Sequence, residues 1–385
     1  MNIKRQTYLI KGIVLLIGLF IFGGAVYYAN YERITTKDNP NSMLEFETAR
    51  VIQILEDNTF TDPSQPDRVQ GSMKVELELL TGRYQGEIVE ATHYFIRWVN
   101  IHFNEGDRVS VRISTLDGEL ISVAFDSFER KGVLIACVVL FFLALALIGG
   151  KRGLMSVVAL IFTLSSIIFL LIPMMLKGYP VILTTIVILS MVTFVTLVLL
   201  FGITFKMLIS LIGCLIGVVA AALIAQVVGN LIYISGFNME DTDRLLILVD
   251  AHDFSLQPHG LFISGILIAS LGAVMDTAVS IASSMEEIQL ANPKIQAKQL
   301  FKSGMNVGRD MMGTMSNTLI LAFAGTALNM IMIIYVSHLS FNQIINMDFI
   351  ALEVIRGVAG SLGIVLTVPA VAFIGAKLYT KKSSR

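Results

Sequence analysis

The chain has 385 residues, of which 55% are hydrophobic and only 15% are charged, and its mean hydropathy is +0.75. Soluble globular domains carry about 25% charged residues, so this composition excludes a soluble protein and indicates an integral membrane protein. The 28 basic and 29 acidic residues leave a net charge of -1, which excludes the usual electrostatic basis of nucleic-acid binding.

Eight apolar stretches are long enough to cross a bilayer core, which requires roughly 20 helical residues. These stretches are Ile10–Tyr28, Lys131–Gly149, Leu154–Met175, Val181–Phe201, Met207–Ile234, Gly260–Ser283, Met311–Val336 and Phe349–Tyr379. We therefore predict an α-helical polytopic membrane protein with about eight transmembrane helices. The predicted domains are a cytoplasmic N-tail with a membrane anchor helix (1–29), an extracytoplasmic β domain (30–130) and a seven-helix transmembrane domain (131–385).

The distribution of basic residues predicts the orientation. If the N-terminus is cytoplasmic, the inside segments are rich in basic residues, whereas the short outside loops hold only Lys177 and Arg244. This bias follows the positive-inside rule and predicts that both termini are cytoplasmic. The first stretch also fits a signal peptide, but Tyr27 and Tyr28 stand where a cleavage site requires small residues, which favours an uncleaved anchor.

The segment between the first two stretches has the pattern of an all-β domain. Five runs alternate between apolar and polar residues, at Leu44–Leu55, Met73–Leu80, Gly86–Tyr94, Asp107–Ile113 and Glu119–Phe125. They predict a small, OB-like barrel. The stretch from Glu56 to Gln70 is predicted to be a long polar loop. We expect this domain to contact a partner or to shield the membrane part, with ligand binding as the alternative.

Polar residues inside the apolar stretches are the main functional signal, because such residues usually face a bundle interior or a water-filled cavity. In the sixth stretch, Asp276, Ser280, Ser283 and Glu287 share one helical face. In the seventh, Asp310, Thr314 and Asn317 do the same. We predict a transport path along these two faces, centred on Asp276. A fixed hydrogen bond or salt bridge between helices is the alternative role for Asp276, and capping of the helix start is the alternative for Asp310.

Other polar and small residues have a structural interpretation. Glu353 and Arg356 lie three residues apart and are expected to form an ion pair that is structural or serves coupling. Gly213, Gly217 and Ala221 recur every four residues, which predicts a helix-packing face. The sequence carries no Walker motif, no Cys/His spacing typical of a metal site and no catalytic constellation, so we expect neither cofactor, metal nor enzymatic activity.

Two long segments resemble the YibE/F family of bacterial multi-spanning membrane proteins. They run from Gly260 to Ile288, around Ala-Val-Met-Asp-Thr-Ala-Val, and from Gly304 to Ala322, around Gly-Arg-Asp-Met-Met-Gly-Thr-Met-Ser-Asn, with Gly325-Thr326 beyond. The resemblance covers the chain from about residue 130 to the end. It implies a bacterial plasma-membrane location and, loosely, a role in transport. Members of this family often occur as adjacent pairs, which implies a second YibE/F-type subunit or a homo-oligomer as partner.

A fainter similarity connects the same region to the SecD/SecF and RND proteins. It is carried by Gly272, Asp276-Thr277, Val279, Glu286-Glu287, Arg309 and Thr314. That similarity implies coupling of proton flow to the movement of an exported domain. This chain departs from the pattern, since it has one exported domain and no duplicated half.

Taken together, the sequence predicts a membrane transporter or transport-complex subunit, coupled to ions or protons, whose substrate the sequence does not identify. The alternative is a non-transporting envelope scaffold or assembly factor that acts through its extracytoplasmic domain.

Overall fold

The computed structural model describes residues 22–31, 42–62, 65–95, 102–116, 119–237, 239, 241–251 and 254–383. These residues form two compact units, one within Glu32–Ala144 and the other comprising 22–31 and the chain from Leu145 onward. The predicted N-tail and most of the first apolar stretch lie outside the described residues.

Five antiparallel strands build the sheet of the first unit. They are β1 (Ser42–Asp62), β2 (Gln65–Leu79), β3 (Ile88–Phe95), β4 (Arg108–Leu116) and β5 (Glu119–Phe128). Their order is β3-β2-β1-β4-β5, and the edge strands β3 and β5 approach each other, so the sheet is a nearly closed barrel. Alternate residues of each strand point inward, and in β2 these are Met73, Val75, Leu77 and Leu79, all fully buried. The predicted five-stranded barrel is confirmed.

The predicted polar loop from Glu56 to Gln70 is wrong. This segment continues the antiparallel pairing of β1 with β2, which runs on beyond Glu56 and Lys74 towards the tip of a long ribbon. Residues 55–58 are all exposed, so both faces of the ribbon meet solvent. A ribbon of this kind needs no alternation of apolar residues, and that alternation is the signal by which a strand is predicted.

The helices follow in chain order. They are α1 (22–31), α2 (Lys131–Ser166), a π-helical turn (Ile167–Leu171), α3 (Ile172–Leu176), α4 (Val181–Phe201), α5 (Phe205–Leu231), α6 (Thr242–Ala251), α7 (Pro258–Ala291), α8 (Ala297–Thr326), α9 (Leu328–Val336), α10 (Phe341–Ile345) and α11 (Asp348–Ser383). Within the described residues, five helical stretches are long and apolar enough to cross a membrane: Lys131–Leu176, α4, α5, α7 and Asp348–Thr380 of α11. The predicted helical architecture is thus confirmed, while the number of eight spans stays a prediction.

The first of these stretches contains a sharp turn. Gly150 has φ +54° and ψ -133°, which breaks α2. A Cβ added to Gly153 would lie 2.0 Å from the carbonyl oxygen of Leu145, whereas residues eight apart in a straight helix are separated by about 12 Å. The chain therefore folds back at Gly150, between the second and third predicted stretches.

The seventh predicted stretch, Met311–Val336, is not one helix. It is divided between α8 and α9, which meet at an angle of 64° around Ala327. At the bend the hydroxyl of Thr326 donates to the carbonyl of Phe323 at 2.8 Å, a local hydrogen bond that often accompanies helix bending. Hydropathy does not reveal this break, because the residues on both sides are apolar.

Glycine allows α5 and α11 to cross at close range. A Cβ added to Gly217 would lie 2.9 Å from the carbonyl oxygen of Gly363, and a Cβ added to Gly363 would lie 2.9 Å from that of Gly217. Val371 fills the space beside Gly213 in the same way. The predicted packing face on α5 is confirmed, and it joins α5 to the last long helix.

The short helix α1 packs against the π-helical turn. Ala29 is buried, and the side-chain amide of Asn30 donates to the carbonyl oxygen of Phe169 within that turn at 2.7 Å. Lys177 adds a hydrogen bond from its ammonium group to the carbonyl of Tyr28 at 3.1 Å. These contacts fix the described part of the N-terminal helix on the helical unit.

Candidate functional site

The polar strip on α7 lies on the outward side of that helix. The opposite side packs into the helical core through Val274, Ala278 and Ile281, all fully buried. Asp276 and Glu287 are exposed, and Ser280 and Ser283 are half-buried. No hydrogen bond or ion pair joins the carboxylate of Asp276 to another described residue. The spacing predicted for this face holds, and the face is not covered by other described parts of the chain.

The polar strip on α8 is also exposed. Asp310, Thr314 and Asn317 all lie on the side away from the core, whereas Gly304 and Gly308 pack against it. The hydroxyl of Thr314 is used within its own helix, where it donates to the carbonyl of Met311 at 3.0 Å. The side chains of Asp310 and Asn317 have no partner in the part of the chain that the structure describes.

Contacts between α7 and α8 set the relative levels of the two strips. A Cβ added to Gly304 would meet the sulfur of Met285 at 2.6 Å, and one added to Gly308 would meet Ile281 at 3.1 Å. The two helices are therefore antiparallel. Counting five residues along each helix from the pair Ile281 and Gly308 places Asp276 level with Gly313 (281 - 5 and 308 + 5).

The two strips are neighbours, yet no contact joins them. Counting nine residues from the same pair places Gly272 level with Asn317 (281 - 9 and 308 + 9). No hydrogen bond or ion pair among the described residues links the strip of α7 to that of α8. The fixed interhelical bond that was the alternative role for Asp276 is therefore not formed within the described residues, and the carboxylate is accessible.

Glu353 and Arg356 of α11 form an ion pair, with Arg356 Nη1 in contact with Glu353 Oε1. The guanidinium also lies over the ring of Phe262 on α7, 5.7 Å from its centroid. The second oxygen of Glu353 is buried without a partner among the described residues. Phe262 and Asp276 are 14 residues apart on one helix, about 21 Å at 1.5 Å per residue, so this pair does not neutralise Asp276.

A second polar cluster, at the junction of α5 and α7, was only partly visible in the sequence. His259 Nδ1 lies 2.8 Å from the carbonyl of Ile234, and its Nε2 lies 3.2 Å from the amide nitrogen of Gln226. The partners indicate that Nδ1 donates and Nε2 accepts. Gln226 also donates to Asn230 at 3.1 Å. His259 and Gln226 are 33 residues apart, so helical spacing gave no signal for their contact.

The barrel contains one buried histidine. His93 is 4% exposed and lies between the rings of Phe95, Phe103 and Phe125, with centroids 4.6, 5.1 and 5.4 Å away. Its Nε2 has no hydrogen-bond partner among the described residues. Burial lowers the pKa of His93, because a charged imidazole is poorly solvated among aromatic rings. Within the described residues, no group of three or more His, Cys, Asp or Glu side chains is arranged to hold a metal ion.

Comparison with known proteins gives one match. The model of the family described as YibE/F-like protein matches residues 137–381, which is more than half of the chain and includes both polar strips. No curated protein and no solved structure matches.

Proposed function

The chain belongs to the YibE/F-like family, and from this premise we propose that it is a membrane transporter or transport-complex subunit driven by an ion or proton gradient. The observation that carries the proposal is the carboxylate of Asp276 on α7, which is accessible and has no partner among the described residues. A charged group near the bilayer centre costs about 2.5–3.5 kcal/mol on insertion scales, and such groups usually mark a pathway. Asp276 is suited to take up and release a cation or a proton.

The other polar residues of the two strips form a path together with Asp276. Ser280 and Glu287 continue the face of Asp276 towards the C-terminal end of α7, and Thr314 and Asn317 line the neighbouring helix. Hydroxyl and amide groups at helical spacing offer successive ligands to a moving ion or water molecule. In this proposal both termini are cytoplasmic, the protein resides in the bacterial plasma membrane, and the barrel is OB-like and lies outside.

The test measures proton flux in liposomes that contain the purified full-length protein and an entrapped pH-sensitive dye. With a potassium diffusion potential as driving force, we expect the unaltered protein to acidify or alkalinise the lumen, and Asp276→Asn to reduce the rate at least about 10-fold. The amide keeps the size of the side chain but removes its titratable proton.

A matched acid serves as control. Asp243 is exposed on α6, away from both strips, so Asp243→Asn should retain the flux. Equal flux from Asp276→Asn and the unaltered protein would remove Asp276 from the mechanism.

A second candidate function rests on the surface of the barrel. Phe46, Ile88, Tyr94 and Ile121 are each at least 60% exposed on its outer side. Contiguous patches of such side chains mark surfaces that bind partners, and these four residues are the candidates for one. The alternative is therefore an envelope scaffold or assembly factor. Deletion of residues 35–125 discriminates between the transporter and the scaffold. If the protein is a scaffold, the truncated protein loses its whole function in cells. If the truncated protein retains that function, the scaffold hypothesis is contradicted.

A further inference from the structure

Two glycines on the exposed face of α7 and α8 pack against no other described residue. A Cβ added to Gly272 or to Gly313 would meet nothing within 4 Å. A glycine inside a helix costs about 1 kcal/mol relative to alanine. In membrane helices this cost is usually offset where a second helix approaches closely.

The glycines of the core show what such an approach looks like. Added Cβ atoms at Gly217, Gly308 and Gly360 would lie within 2.0 to 2.7 Å of atoms of neighbouring helices. Gly272 and Gly313 lie on the same helices as residues of this core but point away from it. The space beside both glycines is not filled by any residue that the structure describes.

The levels of the two helices make this face self-complementary. Asp276 of α7 lies level with Gly313 of α8, and Gly272 of α7 lies level with Asn317 of α8. At each of these levels one helix presents a polar side chain and the other an open glycine. All four residues are exposed.

We propose that this α7–α8 face binds a second copy of the chain around a two-fold axis along the membrane normal. Such an axis leaves each residue at its own depth, so α7 of one protomer meets α8 of the other at equal levels. Asp276 then lies opposite the partner's Gly313, and Gly272 lies opposite the partner's Asn317. The same two matches occur twice, once for each protomer.

Charge supports a second copy as the occupant. Arg309 is exposed on α8 one turn from Gly313, and it has no partner among the described residues. In such a two-fold contact Arg309 of one protomer lies about one turn from the level of the partner's Asp276, so these opposite charges approach each other, while Asp310 gives the α8 face one acid beside its base. The polar groups of both strips gain partners across the interface, which lowers their cost in a membrane.

This inference deepens the proposed function and rests on the proposed membrane insertion, but not on transport. The polar path becomes complete only in the dimer, because the strip of α7 with Asp276 from one protomer then faces the strip of α8 with Asn317 from the other. A single copy leaves both strips facing lipid.

The test is disulfide crosslinking in native membranes. Two differently tagged full-length chains are produced together, both with Cys137→Ser and Cys214→Ala, one with Gly272→Cys and the other with Asn317→Cys. Oxidation forms a disulfide where the Cα atoms approach within about 4.4–6.8 Å. We expect a band of about 84 kDa, twice 42.2 kDa, which carries both tags and disappears on reduction.

The control pairs Gly272→Cys with Leu223→Cys, because Leu223 is 60% exposed on α5 and outside the proposed face. This pair should give no such band. Absence of the band from the matched pair, with both cysteines reactive to a maleimide probe, contradicts the proposal. A band of another mass from Gly272→Cys also contradicts it, because it identifies a different partner.

A second measurement places large side chains at the two open glycines instead of cysteines. The double variant Gly272→Leu and Gly313→Leu fills both open positions, so we expect it to run as a monomer in nanodiscs by mass photometry. Gly24→Leu, at another glycine with open space, should remain dimeric. Dimers in the double variant contradict the proposal. If Asp276→Asn loses flux but keeps the crosslink, transport and dimer formation are separate properties; if it keeps both, only the transport function fails.

Discussion

The protonation of one side chain, His93, is expected to control the stability of the barrel. Burial lowers the pKa of His93 in the folded protein, whereas an unfolded histidine titrates near 6.5. Below about pH 6.5 the unfolded state therefore binds the proton more readily. We predict that the barrel loses stability as pH falls from 6.5 towards the folded pKa, by up to about 1.4 kcal/mol per pH unit, and that stability does not change with this group above 6.5.

The measurement is hydrogen exchange of the amides of β3 and β5 in the full-length protein at pH 5 to 7.5, corrected for intrinsic exchange rates. In His93→Phe the protection of these amides from exchange should no longer vary with pH over the acidic part of this range. His102 is exposed and is retained in both proteins, so the difference reports His93 alone. An unchanged pH dependence in His93→Phe would show that another group is responsible.

Some ionisable residues in the apolar helices are paired within the described chain and others are not, and the sequence predicts this difference only in part. Glu353 has its partner Arg356 on the next turn of the same helix, so their contact is predictable from spacing. Whether Asp276 has a partner depends on which helices pack beside α7, and among the described residues it has none; a single sequence does not encode this packing in its local pattern. Residue types thus identified the candidates, and packing decided which of them stayed accessible.

At the scale of the elements, the crossing of α5 and α11 has no room for a methyl group. A Cβ on Gly363 would lie 2.9 Å from the carbonyl oxygen of Gly217 and 3.0 Å from the Cβ of Ala221. We predict that Gly363→Ala lowers the free energy of unfolding by about 1–3 kcal/mol, which is the usual cost of overpacking. Thermal unfolding in detergent, followed by size-exclusion chromatography, measures the effect.

Gly357, six residues earlier on α11, is the matched control. A Cβ there would lie 3.7 Å from Ile320, an ordinary van der Waals distance. Gly357→Ala should leave the protein as stable as before, or more stable by up to about 1 kcal/mol through helix propensity. Equal losses for Gly357→Ala and Gly363→Ala would mean that the close crossing is not the cause.

Elements that bury one face were predictable, and elements exposed on both sides were not. The five strands were found because their inward residues alternate with outward ones, as Val109, Val111 and Ile113 do in β4. The outer ribbon beyond Glu56 gives no such pattern. The bend between α8 and α9 was missed for a related reason, since it leaves the hydropathy of the chain unchanged.

At the scale of the whole molecule, the family match and the barrel occupy different parts of the chain. The match begins at residue 137, after the last strand, which ends at Phe128. Membership of the family therefore characterises the helical part, where the two polar strips lie. The role of the barrel has to be tested separately, and the deletion of residues 35–125 does this.

The prediction of the helical part was reliable where helices are uniformly apolar and incomplete where they are not. Composition and length identify α4, α5, α7 and α11 directly. They do not say which side of α7 or α8 remains uncovered, because the same strip of small and polar residues is compatible with an interior position. That question is settled by neighbouring helices and, in our proposal, by a second protomer.

The hydrogen bond from Asn30 to Phe169 makes the N-terminal segment a part of the helical architecture. A π-helical turn departs from regular α-helical hydrogen bonding, and the amide of Asn30 serves one of its carbonyl groups. A shortened chain that starts after residue 31 would lack the hydrogen bond that Asn30 donates to this oxygen. Truncated versions made for expression should therefore keep Asn30, because its removal eliminates the hydrogen bond that ties the N-terminal helix to the π-helical turn.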